Sequence, residues 1–294
     1  MATRQEVLLS SASRIRRRGR AERRWANATL YVGIGIVGAV VVVAIFAPLI
    51  APYPPNAQNL ANAFQPPSPD HLMGTDNLGR DVFSRVVYAA RVDLQIGFIT
   101  TYVPLTYGVV IGAVAGYFGG WVDTLTMRLV DVVIAFPFLV LVIAILAVVG
   151  PGVTGLYIAV LAVAWSMYAR LTRAEMLVLR EQQFMLAGEA LGYSRRRIIF
   201  RHAIPNLLRP NIVFSMADFV LNILLVASLS FLGLGVRPPQ AEWGAMVADG
   251  QNFLLNAWWI TTIPGAVIVF VGIGLSLIGD GLAERMGERF RLTV

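Results

Sequence analysis

Side chains that commonly carry chemistry are scarce in this sequence of 294 residues. Cysteine is absent, so the chain offers no disulfide or thiolate chemistry. All 24 basic residues are arginine, which excludes a nucleotide-binding P-loop because that loop places a lysine on the β- and γ-phosphates. The only histidines are His71 and His202. If this chain takes part in ATP-driven work, the nucleotide must therefore be bound by another subunit.

One segment holds an unusual density of polar side chains. It runs from Glu189 to Asn206 and has the sequence EALGYSRRRIIFRHAIPN, with four arginines, a histidine and a glycine. Long apolar blocks precede it and a nearly apolar block follows it. The elements that position this segment must therefore be hydrophobic.

The composition of those elements is typical of membrane helices. Hydrophobic residues make up 57% of the chain and charged residues 14%, with a mean hydropathy of +0.68, whereas globular domains carry roughly 25% charged residues. A bilayer span needs about 20 apolar residues. Runs of that length cover 28–50, 94–122, 132–169, 210–236 and 250–279, and Gly150-Pro151-Gly152 divides the third. The sequence therefore predicts six spanning helices, since barrel strands would be about 10 residues long and alternating.

The ends of these runs carry further signals. The first run is too long for a signal peptide and lacks a small-residue cleavage site, so we interpret it as a retained helix. Trp258 and Trp259 stand at the start of the last run, where interfacial anchors are common.

Arginine is distributed unevenly between the predicted loops. Twenty of the 24 arginines fall in the N-terminus, the 119–128 turn, the 170–209 loop and the C-terminus. The opposite side holds Arg80, Arg85, Arg91 and Arg237. Positive charge favours the cytoplasmic side, so this pattern predicts cytoplasmic termini. We interpret the basic N-terminal run as an anchor beside anionic lipid rather than a nucleic-acid site.

Acidic residues are rare within the predicted spans. Asp131 and Asp280 lie near span ends, and only Asp218 lies well inside one. An ion-coupled carrier usually needs charged groups or broken helices near mid-membrane, and we interpret Asp218 as a helix-packing or interfacial residue rather than a coupling site. An intramembrane protease needs a base within the bilayer, and the two histidines fall in loops on opposite sides, which also prevents a shared metal site. The sequence therefore predicts a protein that is not an enzyme.

The cytoplasmic segment 170–209 has the signals of two helices joined at a glycine. Its first part, residues 173–191, predicts a helix that Gly192 ends, because glycine is favoured just after a helix C-terminus. Ser194 is a helix-capping residue, and Pro205 is expected to end a second short helix. Candidate apolar contacts on this elbow are Leu177, Phe184, Leu186 and Leu191. Exposed apolar side chains usually belong to a partner surface.

The stretch LAGEALGYSRRRIIFRHAIPN resembles the cytoplasmic coupling loop of ABC importer permeases of the dipeptide/oligopeptide branch. The matching positions are Ala187, Ala190, Leu191, Gly192, Ser194, Ile198, Ile199, Arg201, His202, Pro205 and Asn206. The chain departs from the family pattern at Leu186, Gly188 and Glu189. In that family the elbow inserts into a cleft on the ATPase subunit. The resemblance thus implies ATPase coupling by Leu186, Ala187, Gly188, Glu189, Ala190, Leu191, Gly192, Tyr193, Ser194, Arg195, Arg201, His202 and Pro205.

Three further stretches resemble the same family. They are His71–Phe98, with GTDNLGRDVFSR, Ser230–Trp259, with EWGAMVADG, and LIGDGLAERM near the C-terminus. The resemblance implies that a substrate-binding protein docks on the extracytoplasmic loops. Candidate docking residues are Gly74, Asp76, Arg80, Asp81, Glu242 and Trp243. For Gly74 and the nearby Gly79 the alternative is a role in a turn, and for Asp76 and Asp81 it is a capping role.

The fold that follows is an all-α polytopic membrane protein with six transmembrane helices, a type I ABC importer permease fold and both termini cytoplasmic. The expected organisation is a basic tail (1–28), a first transmembrane helix (29–51), an extracytoplasmic loop (52–93), a five-helix permease core (94–284) that includes the coupling loop (170–209), and a cytoplasmic tail (285–294).

The function that the resemblance implies is that of a pore subunit in an ATP-driven peptide importer of the bacterial cytoplasmic membrane. Its expected partners are a homologous permease subunit, two ATPase subunits or a fused one, an extracytoplasmic substrate-binding protein and the lipid bilayer, with no nucleic acid. This chain is expected to bind no cofactor or metal, while ATP and Mg²⁺ are bound by the ATPase. A nickel or glutathione importer, an ion-coupled carrier and a non-transporting scaffold remain alternatives.

Overall fold

The computed structural model describes residues 27–291 and the side chains of residues 27–286. Most of the predicted basic tail and the last residues lie outside this range. The helices are α1 (Asn27–Ile45), α2 (Ala47–Ile50), α3 (Val82–Phe118), α4 (Gly120–Ile134), α5 (Phe138–Val149), α6 (Val153–Leu179), α7 (Gln183–Ala190), α8 (Arg195–Arg197), α9 (Ile204–Phe231), α10 (Trp243–Gly250) and α11 (Trp259–Arg291). Single helical turns cover Leu60–Asn62 and Gln251–Phe253, and a π-helical turn covers Ile198–Ala203. The described residues form no strand, only a bridge between Thr75 and Asp81.

Five described helices are long and apolar enough to cross a membrane, and a bent pair supplies the sixth crossing if it counts as one span. The pair is α4 and α5, whose axes differ by 86°. The run predicted as the third span, from residue 132, therefore consists of the end of α4 and the whole of α5, with a bend between them that we did not predict from the sequence. Pro137 stands at the bend in an extended conformation, and proline disfavours helical geometry in the residue before it. The predicted turn before α6 is confirmed, because Gly150 and Gly152 both have positive φ angles.

The loop before α3 is shorter than the predicted 52–93 segment. Helix α3 begins at Val82, because the Asp81 side chain caps it by accepting a hydrogen bond from the Ser84 amide. With 37 residues, α3 is roughly 55 Å long at 1.5 Å per residue. It therefore extends beyond a bilayer core of about 30 Å and reaches the loops at both ends of the bundle.

Glycines allow α3 to approach α6 closely. An added Cβ at Gly112 would lie 2.3 Å from the Ala169 carbonyl oxygen, and one at Gly108 would lie 2.7 Å from Tyr168 Cβ. Gly116 makes the same kind of approach to Met176. Small residues at this spacing are typical of tightly packed membrane helices. Helices α3 and α6 therefore form one tightly packed unit.

The bundle has two distinct ends. The first, which we call the elbow end, holds the C-terminus of α3, the segment 180–203 and the contact between Asn27 and Arg285. The opposite loop end holds the segments 51–81 and 232–258. Trp259 at the loop end is buried, with its indole N–H donating to the Thr75 carbonyl oxygen at 3.0 Å. The interfacial anchor predicted at Trp259 was therefore wrong, while Trp258 is half-exposed.

Candidate functional site

The elbow turns at Gly192, as the sequence predicts. Its φ angle is +74°, in the left-handed region that glycine adopts at low cost. The Gly192 amide donates to the Glu189 carbonyl oxygen at 2.9 Å, and the Tyr193 amide donates to that of Gly188 at 3.0 Å. Ser194 then caps α8 by accepting a hydrogen bond from the Arg197 amide. Local sequence signals therefore define this corner.

Two predicted features of the elbow were wrong. The first helix is not continuous from residue 173, because the chain turns at residues 180–182 between α6 and α7. Pro205 also does not end the second helix, which continues into α9 as one 37-residue span from Arg195. In the π turn the Ile204 amide donates to Ile199, five residues back. This wider turn lets a helix continue past a proline, whose ring would clash in a regular α-helix.

A buried cluster attaches the elbow to the membrane helices. Met185 of α7 packs with Ile198 and Ile199 against Met176 of α6 and Ala113 of α3. Because the cluster joins both arms of the elbow to two spanning helices, α7 and α8 cannot move independently of α3 and α6. The elbow is therefore an extension of the bundle rather than a loose loop.

Polar and aromatic contacts reinforce this attachment. The Tyr117 hydroxyl donates to Glu189 Oε1 at 2.8 Å. The Tyr193 ring stacks on His202 at 5.6 Å, and the Arg197 guanidinium lies 4.0 Å from the Tyr193 ring centroid. Glu189, one of the departures from the family pattern, thus has a defined contact with α3.

The outer face of the elbow is apolar with a basic border. Phe184, Leu186 and Phe200 are half-exposed, and Leu191 is 71% exposed. The exposed arginines beside them are Arg195, Arg196, Arg197 and Arg201. Of the residues predicted for coupling, those with exposed side chains or backbone are Leu186, Ala187, Glu189, Ala190, Leu191, Gly192, Ser194, Arg195, Arg201 and Pro205, whereas Tyr193 and His202 are partly buried and Gly188 is buried. The structure thus brings the predicted set together on one elbow.

The loop end contains a buried network of charges. Asp76 accepts hydrogen bonds from the Leu78 and Arg80 amides at 2.9 Å, and from Arg80 Nε at 2.5 Å. Asp81 contacts His71 Nδ1 at 2.9 Å and accepts from the Ser84 amide and hydroxyl at 2.7 Å each. All these contacts are local and fix the loop that precedes α3.

A second buried group joins α10 to α3. Both Glu242 carboxylate oxygens accept backbone hydrogen bonds at 2.7 Å, from Gly244 and Ala245. The Trp243 amide donates to Asp93 Oδ2 at 3.1 Å, and its indole N–H donates to the Val86 carbonyl oxygen at 3.1 Å. Glu242 and Trp243 therefore position α10 against the start of α3.

The part of the chain that contains the elbow and α10 matches a known family. Residues 108–292 match the family model described as binding-protein-dependent transport system inner membrane component. The chain belongs to this family. Residues 25–67 of the permease also match the model described as the N-terminal TM domain of oligopeptide transport permease C. It is a multi-pass membrane protein with a permease fold, and the resemblance drawn from the sequence motifs is confirmed.

Curated relatives align with the permease over most of its length. It is 40% identical over 265 residues to the dipeptide transport system permease protein DppC of Alkalihalophilus pseudofirmus, which covers 90% of this chain and 87% of the relative. It is 37% identical over 258 residues (86% and 85%) to the di/tripeptide transport system permease protein DppC of Pseudomonas aeruginosa. It is 36% identical over 266 residues (90% and 87%) to the oligopeptide transport system permease protein OppC of Bacillus subtilis.

The residues proposed for docking do not form an exposed surface on the permease. Gly74, Asp76, Arg80, Asp81, Glu242 and Trp243 are all buried. A Cβ at Gly74 would lie 2.6 Å from both the Gln65 carbonyl oxygen and Trp259 Nε1. The structure thus shows the alternative roles, with Gly74 in a turn and with Asp76 and Asp81 accepting hydrogen bonds from nearby backbone amides. Because all six residues are buried, they cannot contact a docked protein directly.

Sequence reasoning missed several residues that hold these sites together. Tyr117 lies outside the quoted motifs, whereas Phe200 and Asp93 lie inside them but received no role. An aspartate one residue before the predicted second span was the available signal for Asp93. No comparable signal pointed to Tyr117, because its contact with Glu189 depends on tertiary packing. In residues 27–286 no group of three or more His, Asp or Glu side chains could hold a metal ion.

Proposed function

We propose that this permease is the membrane-spanning subunit of an ATP-driven importer of dipeptides or oligopeptides. It forms half of the translocation pore, and a homologous permease subunit forms the other half. Support comes from relatives named as dipeptide, di/tripeptide and oligopeptide permeases, with 36–40% identity over most of each chain. The chain has no enzymatic activity of its own in this proposal, and transport is powered elsewhere.

The observation that carries the proposal is the geometry of the elbow. Its exposed apolar side chains, Phe184, Leu186 and Leu191, stand on a rigid corner that a buried cluster attaches to α3, α6 and α9. A cleft with an apolar floor and an acidic border would complement this surface and its arginines. We assign that cleft to a separate or fused ATPase, which binds ATP and Mg²⁺.

The elbow then connects two states of the pore. ATP and a loaded binding protein shift the equilibrium only if each binds one state more tightly than the other. Movement of the elbow is transmitted to α3 and α6 because the buried cluster contains residues from both helices. We place the elbow end and both termini on the cytoplasmic side, in line with the arginine distribution.

The loop end is the proposed docking face for an extracytoplasmic substrate-binding protein. The six buried candidates shape this face instead of contacting the partner. Exposed apolar residues such as Leu60, Leu72 and Leu255 are available for contact. Leu255, at 99% exposure, is the least covered of the three.

Purification of the complex through this chain tests the proposal. We expect an ATPase to co-purify, and its ATP hydrolysis in proteoliposomes to rise when the peptide-loaded binding protein is added. Competition between peptides, nickel and glutathione for uptake distinguishes the related importers. Uptake driven by an ion gradient without ATP, or a purified chain with no ATPase attached, would contradict the proposal.

A further inference from the structure

A polar junction joins three helices within the membrane region. The Tyr168 hydroxyl of α6 donates to Asp218 Oδ2 of α9 at 2.7 Å. The Asn222 side-chain amide donates to the same oxygen at 3.1 Å and to the Thr101 hydroxyl of α3 at 3.0 Å. The interpretation of Asp218 as a helix-packing residue is therefore confirmed. Packing, however, uses only one of its two carboxylate oxygens.

The second oxygen of Asp218 is not used by the described chain. Among residues 27–286, no hydrogen bond engages Oδ1, and no arginine or histidine forms an ion pair with the carboxylate. Oδ1 is also not fully buried, and Asp218 as a whole is partly exposed. Both donors to Oδ2 are neutral, so nothing in this part of the chain compensates the charge.

The position of Asp218 limits what its open side can face. The residue is partly exposed and lies near the middle of α9, one helical turn before the buried Asn222. An ionisable side chain at that depth is costly against lipid, and such groups usually face a bundle interior or a water-filled path. The open side of Asp218 therefore faces the space enclosed with the other pore subunit rather than lipid.

Two further aromatic rings pack against Tyr168, the tyrosine that donates to this carboxylate. Phe214 lies one turn earlier on the same face of α9 and packs edge-to-face with Tyr168 at 5.3 Å. Tyr102 of α3 packs against the same group of residues and is partly exposed, as is Phe214. A carboxylate beside aromatic rings is a favourable environment for an ammonium ion, because charge attraction and ring faces both contribute.

We propose that Asp218 is a transient binding site for the ammonium group of the cargo in the translocation pathway. This proposal rests on the proposed peptide importer function, since an unblocked peptide carries an ammonium group at its N-terminus. The site would favour cargo with a free amino group over cargo of the same size without one. It would release the cargo readily, because a single carboxylate with neutral neighbours provides only one strong contact.

The absence of cysteine from the chain permits a direct test of access. In the assembled transporter in proteoliposomes, the Asp218→Cys variant is treated with a membrane-impermeant charged thiosulfonate during ATP-driven turnover. The buried control is Leu229→Cys on the same helix, and the exposed control is Leu255→Cys at the loop end. We expect Asp218→Cys to react at least about tenfold faster than Leu229→Cys.

Uptake by the Asp218→Asn variant tests the role of the charge. The amide oxygen still accepts from Tyr168, so helix packing is retained while the charge is lost. We expect dialanine uptake to fall about tenfold, the loss typical of one charge-assisted contact, with unchanged assembly and unchanged peptide binding by the binding protein. Asp218→Glu is expected to recover part of the uptake.

Two results would overturn this inference. These are an Asp218→Cys thiol that does not react during turnover, and full uptake by Asp218→Asn. A loss of uptake without thiol reactivity would instead assign the charge to a contact with the second permease subunit. If the unsubstituted transporter shows no ATP-driven dialanine uptake, the proposed function fails first, so the two failures are distinguishable.

Discussion

Replacement of Gly192 by valine is the most direct test of the coupling elbow. The φ angle of +74° suits glycine, and an added Cβ would meet no atom within 4 Å. The substitution therefore introduces backbone strain without a collision. For a residue other than glycine, the left-handed conformation costs roughly 1–2 kcal/mol, and a β-branched residue is the least tolerant.

The expected effect on uptake follows from this magnitude. A strain of roughly 1–2 kcal/mol changes the ratio of two conformations by about 5–30-fold. The corner with the native geometry would become less populated by that factor, and in the other conformations the apolar face around Leu191 would not fit a preformed cleft. Peptide uptake should fall by about tenfold or more, whereas membrane insertion should be normal because the spans and the buried cluster are unchanged.

The assay is ATP-dependent uptake of a labelled dipeptide by proteoliposomes, with ATPase co-purification measured in parallel. Gly192→Asn is the conservative control, because asparagine tolerates positive φ better than valine and should retain most uptake. Gly233→Val is the positional control, since Gly233 has a φ of +76° and also meets no atom within 4 Å. It lies at the loop end, so ATPase co-purification should be unaffected. Normal uptake by Gly192→Val at normal expression would refute the coupling role.

Three further substitutions test other parts of the structure. Leu191→Asp should abolish ATPase co-purification without loss of membrane insertion, because the Leu191 side chain is 71% exposed at the corner. Retained co-purification would contradict a contact between Leu191 and the ATPase. Leu191→Met serves as the control. Asp76→Ala should destabilise the loop end by about 3 kcal/mol, because it removes the closer carboxylate partner of the buried Arg80, which keeps only the 3.6 Å contact with Asp249. Proteolysis of the loop at increasing temperature measures this, and unchanged cleavage would argue against it. Gly112→Val should reduce the yield of folded protein, because the valine Cβ would collide with the Ala169 carbonyl oxygen at 2.3 Å. A normal thermal denaturation midpoint would instead show that α3 and α6 separate easily.

Local signals in the sequence predicted the elbow corner correctly. Gly192 and Ser194 act through their own backbone and nearest neighbours, so their roles can be inferred without the rest of the fold. Pro205 shows the limit of this reasoning. A proline usually ends a helix, but the π turn before it keeps the helix continuous, and no local pattern distinguishes that case.

Burial was the property that the sequence did not reveal at the loop end. Asp76, Arg80 and Asp81 have side chains typical of surface loops, and charged residues are rarely buried unless they are paired. Here Asp76 pairs with the Arg80 side chain and accepts a hydrogen bond from the Arg80 amide, and Asp81 contacts His71. The same residue types could therefore serve docking or loop construction, and only tertiary contacts decide between them.

The two ends of the permease are connected through α3. The elbow contacts its C-terminus through Tyr117, and the loop end is built on its N-terminus through Asp81 and Asp93. Close contacts at Gly108 and Gly112 prevent α6 from sliding along α3 without collision. Coupling between distant sites requires an element whose arrangement both sites bias, and α3 with α6 is the element in contact with both. We therefore expect a force applied at the elbow to move the loop end by displacement of this helix pair as a whole, rather than by a chain of separate side-chain rearrangements.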